Sequence, residues 1–244
     1  MKSQDQNWYY WFALALSILF FSSFRQDNER VNGNGNIKKE VRDATNFNGI
    51  STSGNYKVYI KQGSTYSVQV EADENLLPYI VAEVDGNDLE IHVKKGYSIN
   101  PSKPVNVYVT TKDLKELSAS GKGGFFSDGR FRTDKLEVSL SGSLESDLDV
   151  ETDRLEVNHS GSGNLKFKGK ATKSEISLSG SSTIDAHDLN TSESEVAISG
   201  SGNVRVHADK KLEVSVSGSG NVKYSGNAVV SQSVSGRGTI RKEG

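Results

Sequence analysis

Between Glu137 and Gly236 apolar and polar residues alternate in short runs that each close on Ser-Gly: EVSLSG, EVNHSG, EISLSG, EVAISG, EVSVSG and SQSVSG. The closing glycines are Gly142, Gly161, Gly180, Gly200, Gly218 and Gly236, at steps of 18 to 20 residues. Two earlier runs share the ending, ELSASG at Gly121 and GISTSG at Gly54. Aligned on the glycine, positions four and two before it are mostly apolar, as at Val138 and Leu140 or Val214 and Val216. The pattern resumes four and six positions after it, as at Leu165 and Phe167 or Val204 and Val206. Period-two alternation on both sides of a glycine predicts two half-buried strands joined by a corner. Repeats this short and regular predict an all-β solenoid of about seven coils of 18–21 residues, each covering the next.

Stacking in register at about 4.8 Å puts equal positions into columns. The six glycines above form the turn column. The residue before them is always serine, from Ser53 to Ser235, and such hydroxyls are expected to bond one another or the corner backbone. After the turn, asparagine at Asn55, Asn164, Asn203 and Asn221, with Thr183 and Thr239, predicts an amide ladder at the corner. A glutamate row, Glu116, Glu137, Glu156, Glu175, Glu195 and Glu213, sets like charges side by side. The last five are candidate Ca²⁺ ligands by oxygen chemistry. Lys135, Arg154, Lys173 and Lys211 nearby favour a solvated, partly paired row instead, and the Gly-Gly-x-Gly-x-Asp turn of calcium-binding solenoids is absent.

The histidines offer little chemistry. His187 and His207 stand at one position of successive coils, a possible metal pair without a third ligand, and His92 lies elsewhere. His159 and Ser146 interrupt apolar columns; His159 has no partner acid or nucleophile and reads as structural. The Gly-x-Gly-Asn stretches are not followed by helices, so they are not phosphate loops. No catalytic residue and no cofactor is expected.

The rhythm fails over residues 61–115. There Tyr66, Val68 and Val70 alternate as a strand, Asp73 is placed to cap a short helical turn over Asn75 to Ile80, and Val81–Val84 and Leu89–Val93 flank an Asp-Gly-Asn-Asp hairpin turn. Pro101 and Pro104 mark a loop before a strand over Val105 to Thr111. This insert is expected to cap the N-terminal edge of the stack. Arg237, Arg241, Lys242 and Glu243 are expected to protect the other edge. Trp8 to Phe24 carries no charge, which predicts a cleavable secretory signal or an uncleaved anchor over residues 1–25. A polar linker over 26–46 then leads to the solenoid domain, residues 47–243, with the regular coils over 116–243.

Composition sharpens this reading. Hydrophobic residues make up only 34% and glycines number 24, values that would suit disorder were they aperiodic. A net charge of −2 gives no reason to expect nucleic acid. With no cysteine, disulfides, thiolate metal sites and a lipoprotein anchor are excluded.

The order of GNGNI (Gly33 to Ile37), FNGISTSGNYKVYIKQG, VQVEADENLLPYI, DGNDLEIHV and repeated Ser-Gly-Ser-Gly-Asn coils resembles the putative auto-transporter adhesin, head GIN domain family over about residues 37–240. The resemblance implies a right-handed parallel β-helix exported by Bacteroidetes-type bacteria, and no catalytic residues. One departure stands out: an autotransporter carries a C-terminal membrane barrel, for which no room is expected after the last coil.

Three functions fit these features. The first is a non-enzymatic adhesin or envelope binding module that engages a glycan or protein through its polar faces, in the periplasm, at the cell surface or secreted. The second is an envelope structural or signalling accessory, touching the membrane only through residues 8–24. The third, a polysaccharide-active enzyme, needs clustered acids in a long groove, for which the short corners leave no loops.

Overall fold

The alternating runs are strands in the computed structural model, which describes residues 28–243; the signal or anchor over 1–25 lies outside the described residues. In chain order the strands are β1 (Glu29–Asn32), β2 (Ile37–Arg42), β3 (Gly49–Gln62), β4 (Ser67–Asp73), β5 (Ile80–Asp85), β6 (Asp88–Val93), β7 (Tyr97–Asn100) and β8 (Val105–Thr111). They continue as β9 (Glu116–Ala186), β10 (Leu189–Gly200), β11 (Asn203–His207), β12 (Lys211–Gly218), β13 (Asn221–Ser225), β14 (Val229–Gly236) and β15 (Thr239–Lys242). The fold is all-β, relieved among the described residues by one 3-10 turn at Leu77–Tyr79. No helix among them is long and apolar enough to cross a membrane.

The repeat phrases lie side by side, parallel and in register. Glu175–Gly180 of β9 pairs with Glu195–Gly200 of β10, these with Glu213–Gly218 of β12, and these with Ser231–Gly236 of β14. Beyond the corner, β9, β11, β13 and β15 pair in the same way. The residues two and four before each glycine point inward, so Val138, Leu140, Val157, Ile176, Leu178, Val196 and Val214 are buried. The equivalent positions of the last coil, Gln232 and Val234, are exposed, because among the described residues no further coil lies over β14.

The sheet is mixed rather than purely parallel, which corrects the plain parallel-solenoid expectation. β6 and β8 lie parallel along β3 on the edge away from β9. However, β2 pairs antiparallel with β4, β4 with β8, and β5 with β6. The cause is local: the link between β5 and β6 is only Gly86-Asn87, with Gly86 at φ +60°, and so short a link joins antiparallel strands only. The insert's β6 and β8 thus cover β3's edge, with β4 beyond β8 and β2 outermost in the strand order.

Two expectations at this end are overturned. The stretch read as linker contains β1, paired with β7, and β2, paired with β4. Its polar composition reflects exposure of both faces, while its backbone finds ladder partners. Asp73 does not cap the Leu77–Tyr79 turn with its side chain. Its buried carboxylate instead accepts from the Gly35 N–H (2.7 Å), the Ser102 N–H (2.9 Å) and the Ser102 hydroxyl (2.6 Å), tying the Gly-Asn-Gly-Asn segment to the loop before β8.

Candidate binding trough

Each corner glycine is required by its backbone. Gly121, Gly142, Gly161, Gly180, Gly200, Gly218 and Gly236 have φ between +116° and +136°, a region L side chains avoid. A Cβ on any of them would stand 2.2 to 2.5 Å from the carbonyl oxygen of the glycine one coil earlier. The corner is therefore a strip of bare backbone.

Beside that strip the outward residues one and three before each glycine line a shallow open trough of about 770 Å³, reaching from Ser118 and Ser120 to Ser233 and Ser235. Ser139, Ser141, Ser160, Ser179 and Ser217 are among its walls, with Leu140, Leu178, Ile198 and Val216 beneath. From Gly121 to Gly236 it crosses six coil steps, about 29 Å at the usual strand spacing. None of its lining residues carries a permanent charge. Among the described residues its serine hydroxyls make no hydrogen bond to protein, which departs from the expected serine ladder. In-register side chains about 4.8 Å apart cannot reach a hydroxyl-to-hydroxyl distance near 2.8 Å without leaning. Ser143 and Ser162, just past the corner, do lean and meet at 3.1 Å.

His159 lies under the trough and is buried. Its Nδ1–H donates to the Leu140 carbonyl (3.2 Å), and its Nε2 lies 2.8 Å from the Ser182 hydroxyl, which is also 3.2 Å from the Gly161 carbonyl. Burial pushes its pKa below the usual histidine value, with the Leu140 hydrogen bond opposing, so the ring is neutral at pH 7. Ser146, the other polar intruder, accepts from the Phe125 N–H at 3.1 Å. For a histidine held neutral, the unfolded chain takes up the proton first. Its contribution to stability is therefore complete above about pH 6.5 and is lost as pH falls toward the lower folded value. Urea midpoints at pH 7.5 and pH 5 are expected to show this loss, and His159→Leu, which copies Leu140 and Leu178, is expected to shrink it.

The glutamate row borders the trough and is engaged by bases. Lys135 Nζ lies 3.3 Å from Glu137 and 3.4 Å from Glu156, Arg154 2.9 Å from Glu175, Lys173 2.6 Å from Glu175 and 4.0 Å from Glu195, and Lys211 2.6 Å from Glu213. The hydrogen bond from Lys173, with help from Arg154, holds Glu175 below the usual carboxylate range. At the row's end, burial and the Asp88 and Glu137 charges push Glu116 up. These pairs are exposed and screened by solvent, so they add little to stability, and among the described residues no three His, Asp or Glu side chains are grouped to hold a metal.

The remaining candidates are dispersed. Asn221 donates to Asn203 (3.1 Å) and Thr239 to Asn221 (2.6 Å), a corner ladder; among the described residues Asn164 and Thr183 make no such side-chain bond, and Asn55 stands opposite Lys122, outside the column. A hydroxyl separates the histidine pair: Ser225 Oγ lies 2.9 Å from His207 Nδ1 and 3.5 Å from His187 Nδ1, and His207 Nε2 meets Asp209 at 3.2 Å. His92 is remote, 3.8 Å from Glu83. An aromatic ladder missed in the sequence, Tyr108–Tyr59–Phe126, stacks at 5.3 and 5.5 Å with Lys39 over Tyr108. Its ring faces are occupied by one another. The three side chains come from strands far apart in sequence, so only the β8–β3–β9 register aligns them.

The family profile described as "Putative auto-transporter adhesin, head GIN domain" matches residues 46–228. A solved structure described as a putative adhesin from Bacteroides fragilis is similar at TM-score 0.81 and 22% identity, covering 87% of this chain and all of that one. A putative lipid binding protein from Parabacteroides distasonis (TM-score 0.73) and a putative adhesin from Parabacteroides merdae (0.70) are each 26% identical, covering 88% of this chain and 100% of theirs. No curated protein matches.

Proposed function

Because the chain belongs to the putative auto-transporter adhesin, head GIN domain family, we propose that it is an exported, non-enzymatic adhesion module whose trough binds an extended neutral glycan. The observation that carries this is the uncharged trough whose serine hydroxyls are unspent within the protein. Each hydroxyl both donates and accepts, which matches sugar hydroxyls, and a linear polymer is the ligand shape that fills a straight surface crossing six coil steps. In-register parallel pairing supports reading residues 116–243 as the coils of a right-handed solenoid of about seven coils, with the insert as its cap. Export is the reading that suits an adhesin family.

Isothermal titration of the protein with a panel of linear neutral oligosaccharides is the test. Binding that strengthens with chain length is expected, and Ser160→Arg or Ser179→Arg, each filling the trough at an exposed position, is expected to weaken it about tenfold or more. Binding unaffected by both variants would remove the trough from the proposal. A second reading, an acyl chain, is favoured by the absence of charge in the same lining and by the relative described as lipid binding. Fatty acids displacing or replacing the sugars in the titration would support it instead.

A further inference from the structure

At the C-terminal end of the stack β14 pairs with β12 on one side and, among the described residues, with no strand on the other. Natural edge strands are commonly short, charged or bulged, because an open ladder invites another strand. β14 is eight residues long and carries no charge: VVSQSVSG. Two of the large hydrophobic side chains left exposed on the molecule are on it, Val229 at 78% and Val234 at 43%.

Its sequence also reads the same in both directions about Gln232: Val230-Ser231-Gln232-Ser233-Val234. We propose that β14 is a self-association strand, pairing antiparallel with β14 of a second copy about a two-fold axis at Gln232. In that register Val230 faces Val234 of the other copy, Ser231 faces Ser233, and Gln232 faces itself. Residues opposite each other in an antiparallel pair share a face, so the inward column of one copy continues into the other. The position of Gln232 is filled in earlier coils by Val138, Val157, Ile176, Val196 and Val214. A glutamine there, exposed among the described residues, gains a partner amide when a second copy continues the column.

Symmetry distinguishes this arrangement from head-to-tail stacking: pairing β14 of one copy with β2 of the next leaves a further β14 open and propagates, whereas the isologous contact closes at two copies. One terminal coil a side is less than the 20–30 residues a side of a standard interface, so the dimer is concentration-dependent.

The full chain, 26.5 kDa, is followed by light scattering across a dilution series. The mass is expected to move reversibly toward twice that value with concentration. Gln232→Glu and Gln232→Lys, each setting a charge against its own copy, are each expected to raise the midpoint concentration about tenfold or more, and an equimolar mixture of the two is expected to restore association. Because the chain has no cysteine and opposite Cα atoms lie about 4.5–5.5 Å apart, Gln232→Cys is expected to form a disulfide-linked dimer on mild oxidation, while Ser219→Cys at an exposed corner is not. A monomer at every soluble concentration overturns the proposal. So does a dimer indifferent to position 232, which places the contact elsewhere, including the apolar segment before residue 25.

Discussion

Gly161→Ala is expected to cost about 3 kcal/mol or more, far above the loss at an ordinary surface site. Two effects combine. At φ +136° an L side chain is strained by roughly 1–2 kcal/mol. Its Cβ would also stand 2.2 Å from the Gly142 carbonyl oxygen and 3.0 Å from that residue's carbonyl carbon and nitrogen. The obstruction is backbone held in a parallel ladder, so relief requires the coils to part, and the Gly161 carbonyl is itself the floor under Gly180. Gly129 is the control. It also has positive φ, +92°, but a Cβ there meets nothing within 4 Å, so Gly129→Ala is expected to lose only the dihedral strain, about 1–2 kcal/mol. Urea midpoints at constant slope measure both. Equal losses would show that the dihedral alone, and not the close stacking of corners, requires glycine.

The regular coils were legible in the sequence because side-chain alternation and glycine spacing are both local signals, and the in-register pairing of Glu195 with Glu175 and Glu213 follows directly from the period. The N-terminal end was legible only in part. Its hairpin and the strand at Val105 could be read, but β2 could not, since IKKEVR buries no face and acquires its structure from the free edge of β4. The trough was half visible: the serine column is plain in the sequence. That its hydroxyls stay unbonded, while Ser143 and Ser162 bond, depends on side-chain lean at each side of the corner, which no spacing encodes. The aromatic ladder and the Asp73 cluster join residues about 30 to 70 positions apart outside the repeat, where period gives no guide.

Asp73→Ala is expected to be the most damaging single change outside the coils, at about 3–5 kcal/mol. The carboxylate is fully buried, and its three donors, two from Ser102 and one from Gly35, would be left without partners. Hydrogen bonds to a charged group contribute about 1.5–3 kcal/mol each, and a small residue in its place cannot reach either segment. The space is shaped around the acid as well: a Cβ at Gly33 would fall 2.4 Å from the Asp73 carboxyl carbon. The damage is expected to begin locally, with amide exchange in β2 rising before exchange in β9, because Asp73 ties the segment before β2 to the loop before β8. Burial pushes the Asp73 carboxyl up, but the Ser102 and Gly35 hydrogen bonds outweigh it and hold the pKa below the usual aspartate value. Stability from this group is therefore complete above about pH 4 and is lost as pH falls through the lower folded value. Asp73→Asn, neutral at every pH and turning an amide N–H₂ toward donors, is expected to be destabilised at pH 7 and to lack that acid limb. An acid limb of undiminished size in the asparagine variant would assign the loss to other carboxylates, such as Glu71 and Glu74, which are held low by Asn106 and Lys38 respectively.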